Sequence, residues 1–233
     1  MFTLFKKEVL FYLNNPIGYI VSILFALFAN FLFIKDLFLR GDSSMRNFFD
    51  MLPWLLIIFI PAISMRVFAE EKRTNTLELL LSLPISELSL VTAKFFGLVF
   101  FGSLSLALTF SLPVLLSMIG KPALSEILVS YSGSVLLLAT FSSLSLFFSS
   151  VTKNQIIAFL FSTITLFFLI LLGTDFFVTV IPHFMSEYIS GLSPLNHYDS
   201  FLKGLVDIRS VFYFISFIIL FIFMTVISVE KRD

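Results

Sequence analysis

Six stretches of this chain are apolar enough and long enough to cross a lipid bilayer as helices. They are residues 17–39, 51–68, 94–119, 127–150, 155–172 and 211–229. Crossing about 30 Å of hydrocarbon takes about 20 apolar residues of helix. Composition leaves no other home for them. A soluble domain has no interior large enough for 33 phenylalanines in 233 residues, with a hydrophobic content of 58% and a mean hydropathy of +1.04. The sequence therefore predicts an all-α membrane protein with six transmembrane helices. It shows no internal repeat and no boundary, so residues 1–233 read as a single transmembrane domain. The formal net charge is zero, which gives no basic footprint for nucleic acid. There is no cysteine, hence no disulfide framework and no thiolate chemistry.

Residues 1–15 precede the first span and read as an interfacial helix. Phe2, Phe5, Val9 and Tyr12 recur at helical spacing, Lys6, Lys7 and Asn14 fall elsewhere, and Pro16 ends the segment. The first apolar run is too long for a signal h-region and lacks an A-x-A site, so it reads as an uncleaved span. With six spans both termini share a side. That side also carries the 66–94 stretch and the 151–154 turn. It holds Lys6, Lys7, Arg66, Lys72, Arg73, Lys94, Lys153, Lys231 and Arg232, nine of the 15 lysines and arginines. The positive-inside rule places it in the cytoplasm. On the opposite side, residues 173–210 are too long for a turn and too apolar for a free loop. They predict a re-entrant segment with short helices, held against protein or a cavity. Pro61 and Pro113 predict kinks, Gly120 to Pro122 a turn, and Arg66 snorkels to the headgroups.

The one long polar-to-amphipathic passage lies between the second and third spans, RVFAEEKRTNTLELLLSLPISELSLVTAK at residues 66–94. After the charges of Glu70 to Arg73, Asn75 suits a helix N-cap, with Glu78 three residues on as in a capping box. A short leucine-rich helix follows, with Leu77, Leu80 and Leu81 on one face, and Pro84 stops it. Ser86-Glu87 starts the next helix. By itself the passage is equally an amphipathic helix resting on lipid or an element gripped by a soluble partner.

This passage resembles the central motif of ABC-2-type permeases, the membrane subunits of one class of ABC transporters. That motif runs E-(R/K)-x-x-G-T-x-E-x-L-L-x-x-P-(I/V)-S, is followed by a lysine, and joins the second and third transmembrane helices. Glu71, Lys72, Thr76, Glu78, Leu80, Leu81, Pro84, Ile85, Ser86 and Lys94 fit it. Asn75 stands where the family has glycine, and asparagine also accepts positive φ. The strings KKEVLFYLNNPIGYIV and LSPLNHYDSFLKGLVDIRSVFYF resemble the two ends of the subset that includes gliding-motility and nitrous-oxide-reductase-maturation permeases.

The resemblance implies that residues 70–92 are a coupling segment docking on a separate ATPase. Glu71, Lys72, Asn75, Thr76, Leu77, Glu78, Leu80, Leu81 and Pro84 would be the residues in play. It implies two copies of that ATPase, a second permease copy or homologue, and ATP with magnesium on the partner rather than here. The activity implied is export driven by ATP hydrolysis. The alternative is mechanotransmission to a periplasmic or surface protein without cargo.

The fourth span has an unusual load of small and hydroxyl residues. Ser130 and Ser134, Ala139 and Ser143, and Ser145 and Ser149 are i, i+4 pairs, the pattern of close helix packing in a membrane. A polar wall along a substrate path is the less favoured reading. Other chemistries find little support. The nearest string to a P-loop, Gly97 to Ser103, lacks the lysine that holds phosphate. The only histidines, His183 and His197, do not form H-E-x-x-H. Glu70-Glu71 superficially resembles the E-E-x-x-x-R of prenyl-protein proteases, but Asn75 holds the arginine position. Mid-membrane acids of the kind that serve ion coupling are missing from spans 1, 3, 4 and 6, and Asp175 reads as interfacial.

Overall fold

A computed structural model describes residues 2–40, 44–82, 85–119, 123–174 and 190–231. Pro84, the 120–122 turn, Asp175, His183 and the rest of residues 175–189 within the 173–210 segment lie outside them. The described residues contain helices and no strand: α1 (Phe2–Asn14), α2 (Pro16–Arg40), α3 (Arg46–Ser64), α4 (Ala69–Arg73), α5 (Thr76–Leu81), α6 (Glu87–Ala107), α7 (Ser111–Ile119), α8 (Leu124–Val151), α9 (Gln155–Leu171), α10 (Pro194–Leu202) and α11 (Ile208–Glu230). Five stretches meet the length and hydropathy of a membrane span: Gly18–Phe38, Arg46–Arg73, Glu87–Met118, Leu124–Val151 and Ile208–Glu230. The remaining stretch expected to cross, α9, is apolar but has only 17 residues, the short end of the spanning range.

α8 is the centre of the bundle, with α3, α6, α9, α10 and α11 packed around it. Of its most apolar stretch, 72% is buried, against 17% for α11. A helix covered on every side cannot sort its residues into an apolar face and a polar face. Its hydroxyls are instead satisfied largely by its own backbone: Ser134, Thr140, Ser143 and Ser150 donate to the carbonyls of Ser130, Leu136, Thr140 and Phe147. A short side chain bonded back to its own helix leaves no exposed polar group and lets neighbours approach.

Helix boundaries differ from the sequence expectation where side chains find distant partners. α3 begins at Arg46 rather than residue 51, because Phe48 and Phe49 bury in the core while Arg46 reaches Asp199 of α10 at 3.6 Å. α8 begins at Leu124 and α11 at Ile208, each three residues early. Asp207 caps α11 by accepting from the Arg209 amide. The third span does not run straight. Proline at 113 has no N–H for the carbonyl of Thr109, and the helix tightens there into a 3-10 turn, Leu108–Phe110. Tyr131 of α8 donates to that carbonyl at 3.2 Å, so the break leaves no orphan acceptor in the membrane. Pro61 acts more sharply than a kink, for α3 stops three residues later at Ser64.

Candidate coupling site

α3 hands over to α4 through the turn at residues 65–68, and α8 holds that turn. Ser149 of α8 accepts from the amides of Phe68 and Ala69 at 3.1 and 3.2 Å and donates to the carbonyl of Met65 at 3.1 Å. Two amides at the start of α4, which a helix leaves unbonded, are satisfied by one hydroxyl 80 residues on. Arg66 pairs with Glu70 one turn later, Nε to Oε2 at 3.0 Å, so its charge is matched within the protein rather than snorkelling free.

α4 and α5 form a tight hairpin. Asn75 sits at its tip with φ 56°, the left-handed conformation. Its side chain makes no cap hydrogen bond, which corrects the capping-box expectation. A side-chain cap needs extended backbone at the N-cap, and Asn75 has surrendered that geometry to reverse the chain. The Thr74 and Thr76 hydroxyls, 3.0 Å apart, bind the tip instead by donating to the carbonyls of Glu70 and Glu71.

The leucines of α5 do not share one free face. Leu77 is 6% exposed and belongs to the chain's own core, and Leu81 packs against that core. Leu80 is half-buried, and Asn75, Thr76 and Glu78 are exposed. Part of the face expected for a partner is thus already used to seat α5.

Beneath the hairpin lies a buried ion cluster. Lys94, two turns into α6, is 1% exposed. Its Nζ lies 2.7 Å from Glu71 Oε1 of α4 and 3.2 Å from Glu8 Oε1 of α1. The Val67 carbonyl accepts at 3.4 Å, and the ring of Phe68 lies under the ammonium at 5.2 Å. One cation therefore ties three elements: the hairpin, the third span and the N-terminal helix. Glu71 and Lys72, expected together as docking residues, part company, Glu71 turning inward to Lys94. α1 lies along α6 rather than resting on lipid alone. Gly97 makes that possible, since a Cβ there would stand 2.9 Å from the Cβ of Glu8.

Such a cluster is costly to break. Removing one partner of a buried pair strands the other charge, at about 3–5 kcal/mol. Here two carboxylates share one ammonium, and the hydroxyl of Tyr12, with no hydrogen-bond partner among the described residues, is buried beside them. Burial first, then the charges of Glu8 and Glu71, push the Tyr12 phenol well above its usual range.

The other end of α8 is held without charge. Ser130 donates to the carbonyl of Phe201, and Ser134 shares a 2.8 Å hydrogen bond with the Tyr198 hydroxyl. Gly133 lets α10 in so closely that a Cβ there would sit 2.5 Å from the Cβ of Phe201. Along the middle of α8, Ala139, Ser143 and Ser145 are buried, and the Ser142 and Ser145 hydroxyls have no hydrogen-bond partner among the described residues. His197 stacks on Tyr213 at 4.1 Å between centroids and bonds the Gly191 carbonyl. No cluster of three or more metal-ligating side chains occurs among the described residues.

Sequence reasoning missed Glu8 and did not see what Ser149 does. The only local signal for Glu8 was its solitude, as the single acidic residue before Asp36, one turn from Tyr12 on the inward side of α1.

Long apolar helices around a buried serine-rich one, with a charged hairpin anchored at one end, define a multi-pass membrane protein. The chain belongs to the ABC-2 family of transporter proteins, whose family model matches residues 2–230. Membership makes it a membrane subunit of the ABC transporter class and implies an ATPase partner and dimer formation. No curated protein matches the chain.

Proposed function

We propose that this chain is the permease subunit of an ABC exporter, with six spans and with α5 as the coupling helix. The resemblance of its two ends supports placing it beside the gliding-motility and nitrous-oxide-reductase-maturation permeases. The excess of lysine and arginine on the hairpin side supports cytoplasmic termini. ATP and magnesium belong to the partner, which docks on the exposed part of the hairpin around Thr76, Glu78 and Leu80. The observation that carries the reading is the Lys94 cluster. A push on the hairpin reaches α6 and α1 through Glu71, Lys94 and Glu8, and reaches α8 through Ser149. Spans that move together in this way open a path between two facing permease copies.

The test is Leu80→Asp. Leu80 is half-exposed on this chain alone and would be desolvated under a partner, where a charge costs several kcal/mol. The variant inserts and keeps its thermal stability, but no longer co-purifies with the cognate ATPase or supports its stimulated hydrolysis in lipid. Retention of both partner and coupled hydrolysis overturns the assignment of α5.

A further inference from the structure

A cavity of about 300 Å³ opens beside the hairpin, where three parts of the chain distant in sequence meet. Lys72 comes from α4, Lys153 from the turn between α8 and α9, and Lys231 from the end of α11. Leu77, Leu81 and Val229 supply an apolar wall. Among the described residues the lining holds three lysines and one acidic side chain, Glu78. Lys153 and Lys231 are exposed, whereas Leu77 and Val229 are buried.

We infer that this cavity binds the phosphate of an anionic phospholipid from the leaflet on the hairpin side. Basic pockets at the ends of transmembrane helices take such headgroups. The lining has the two parts that an amphiphile requires, lysines for the phosphodiester and an apolar wall for the first carbons of the chains. The approach is also that of a lipid. Phe223, Met224 and Ile227 of α11 are exposed at 61%, 40% and 37%, an apolar lane within two turns of Lys231. A free phosphate would use the lysines but not the wall or the lane. The occupied cavity would hold the hairpin, the 152–154 turn and the end of α11 around one headgroup. This site does not depend on the partner assigned to α5.

The experiment uses the full chain in uncharged detergent, with phosphatidylglycerol and phosphatidylcholine of matched chains as probes, read by native mass spectrometry. One phosphatidylglycerol is retained per chain in preference to phosphatidylcholine. The double variant Lys153→Gln/Lys231→Gln weakens that retention about 25-fold, at roughly fivefold per lysine. Lys153→Arg/Lys231→Arg restores it, and Lys35→Gln, an exposed lysine elsewhere, leaves it unchanged. Equal binding of the two lipids overturns the inference, as does full retention by the double Gln variant. Competition by inorganic phosphate at the same concentration makes this an ion site and overturns the lipid. If the wild type retains no phosphatidylglycerol and the Gln variant loses the cognate ATPase, the lysines hold an acidic segment of that subunit, and the lipid is again overturned. Should the Gln variant fail to insert, the wild type decides alone. Its retention falls between about 50 mM and about 500 mM salt if lysines hold the headgroup, and salt-independent retention refutes the site.

Discussion

The two ends of the helix bundle are fastened by different physics. At the hairpin end an ion cluster, long-range in sequence, ties α1, α4 and α6 through one ammonium shared by Glu8 and Glu71, and α8 joins through Ser149, which clamps the turn before α4. At the end facing α10 the grip on α8 is neutral, hydroxyl to hydroxyl and backbone pressed on side chain, and the ion pairs of Asp199 with Arg46 and Lys203 there are half-exposed. Close packing is stiff and tolerates little displacement. An ammonium with several acceptors around it can exchange partners over a few tenths of an ångström without leaving any of them bare. With the proposed coupling role, the contrast predicts motion at the hairpin end and a fixed point at the α10 end.

The contrast breaks most visibly at Lys94. Lys94→Ala strands one buried and one half-buried carboxylate and lowers stability by about 3–5 kcal/mol, measured by thermal unfolding in detergent. Lys94→Met combined with Glu8→Gln and Glu71→Gln recovers most of that stability while uncoupling ATP hydrolysis from transport. If the neutral triple variant stays coupled, the ion cluster is not the linkage. Next comes Gly133→Val, which drives a side chain into Phe201 and costs about 3 kcal/mol as overpacking. It is read by the same unfolding assay, and ATPase co-purification stays intact once the protein is folded. Ser149→Ala leaves two amides of the α4 turn without their acceptor, at about 2 kcal/mol, and hydrogen exchange at Phe68 and Ala69 speeds up. The smallest effect is Ser134→Ala, about 1 kcal/mol from one lost neutral hydrogen bond, with coupled hydrolysis unchanged. An effect of Ser134→Ala on coupling as large as that of Ser149→Ala would erase the distinction between the ends.

The apolar runs were legible because the bilayer fixes their length and chemistry, and five of them stand as long apolar helices. The hairpin was legible as a polar interruption with helix signals. What could not be read were choices made by tertiary partners. Asn75 has the residue type of a cap and of a left-handed turn, and only the reversal into α5 decides between them. Leu77 and Leu80 look alike in sequence, yet the first is buried by α5's own seat and the second is not. The start of α3 was displaced by Arg46 finding Asp199, and the inward turn of Glu71 by Lys94, contacts that no local pattern announces.

The spacing of the Glu8–Lys94 pair has a consequence for how the protein is made. The two residues are separated by 86 positions, and synthesis runs from the N-terminus. When α1 emerges its acid has no counterion, and burying it unpaired would cost several kcal/mol. α1 must therefore wait at the membrane surface while the first two spans are inserted. It docks only after the start of α6 has left the ribosome, so a nascent chain arrested before Lys94 exposes α1 to protease and one arrested far enough beyond Gly97 for the start of α6 to emerge does not.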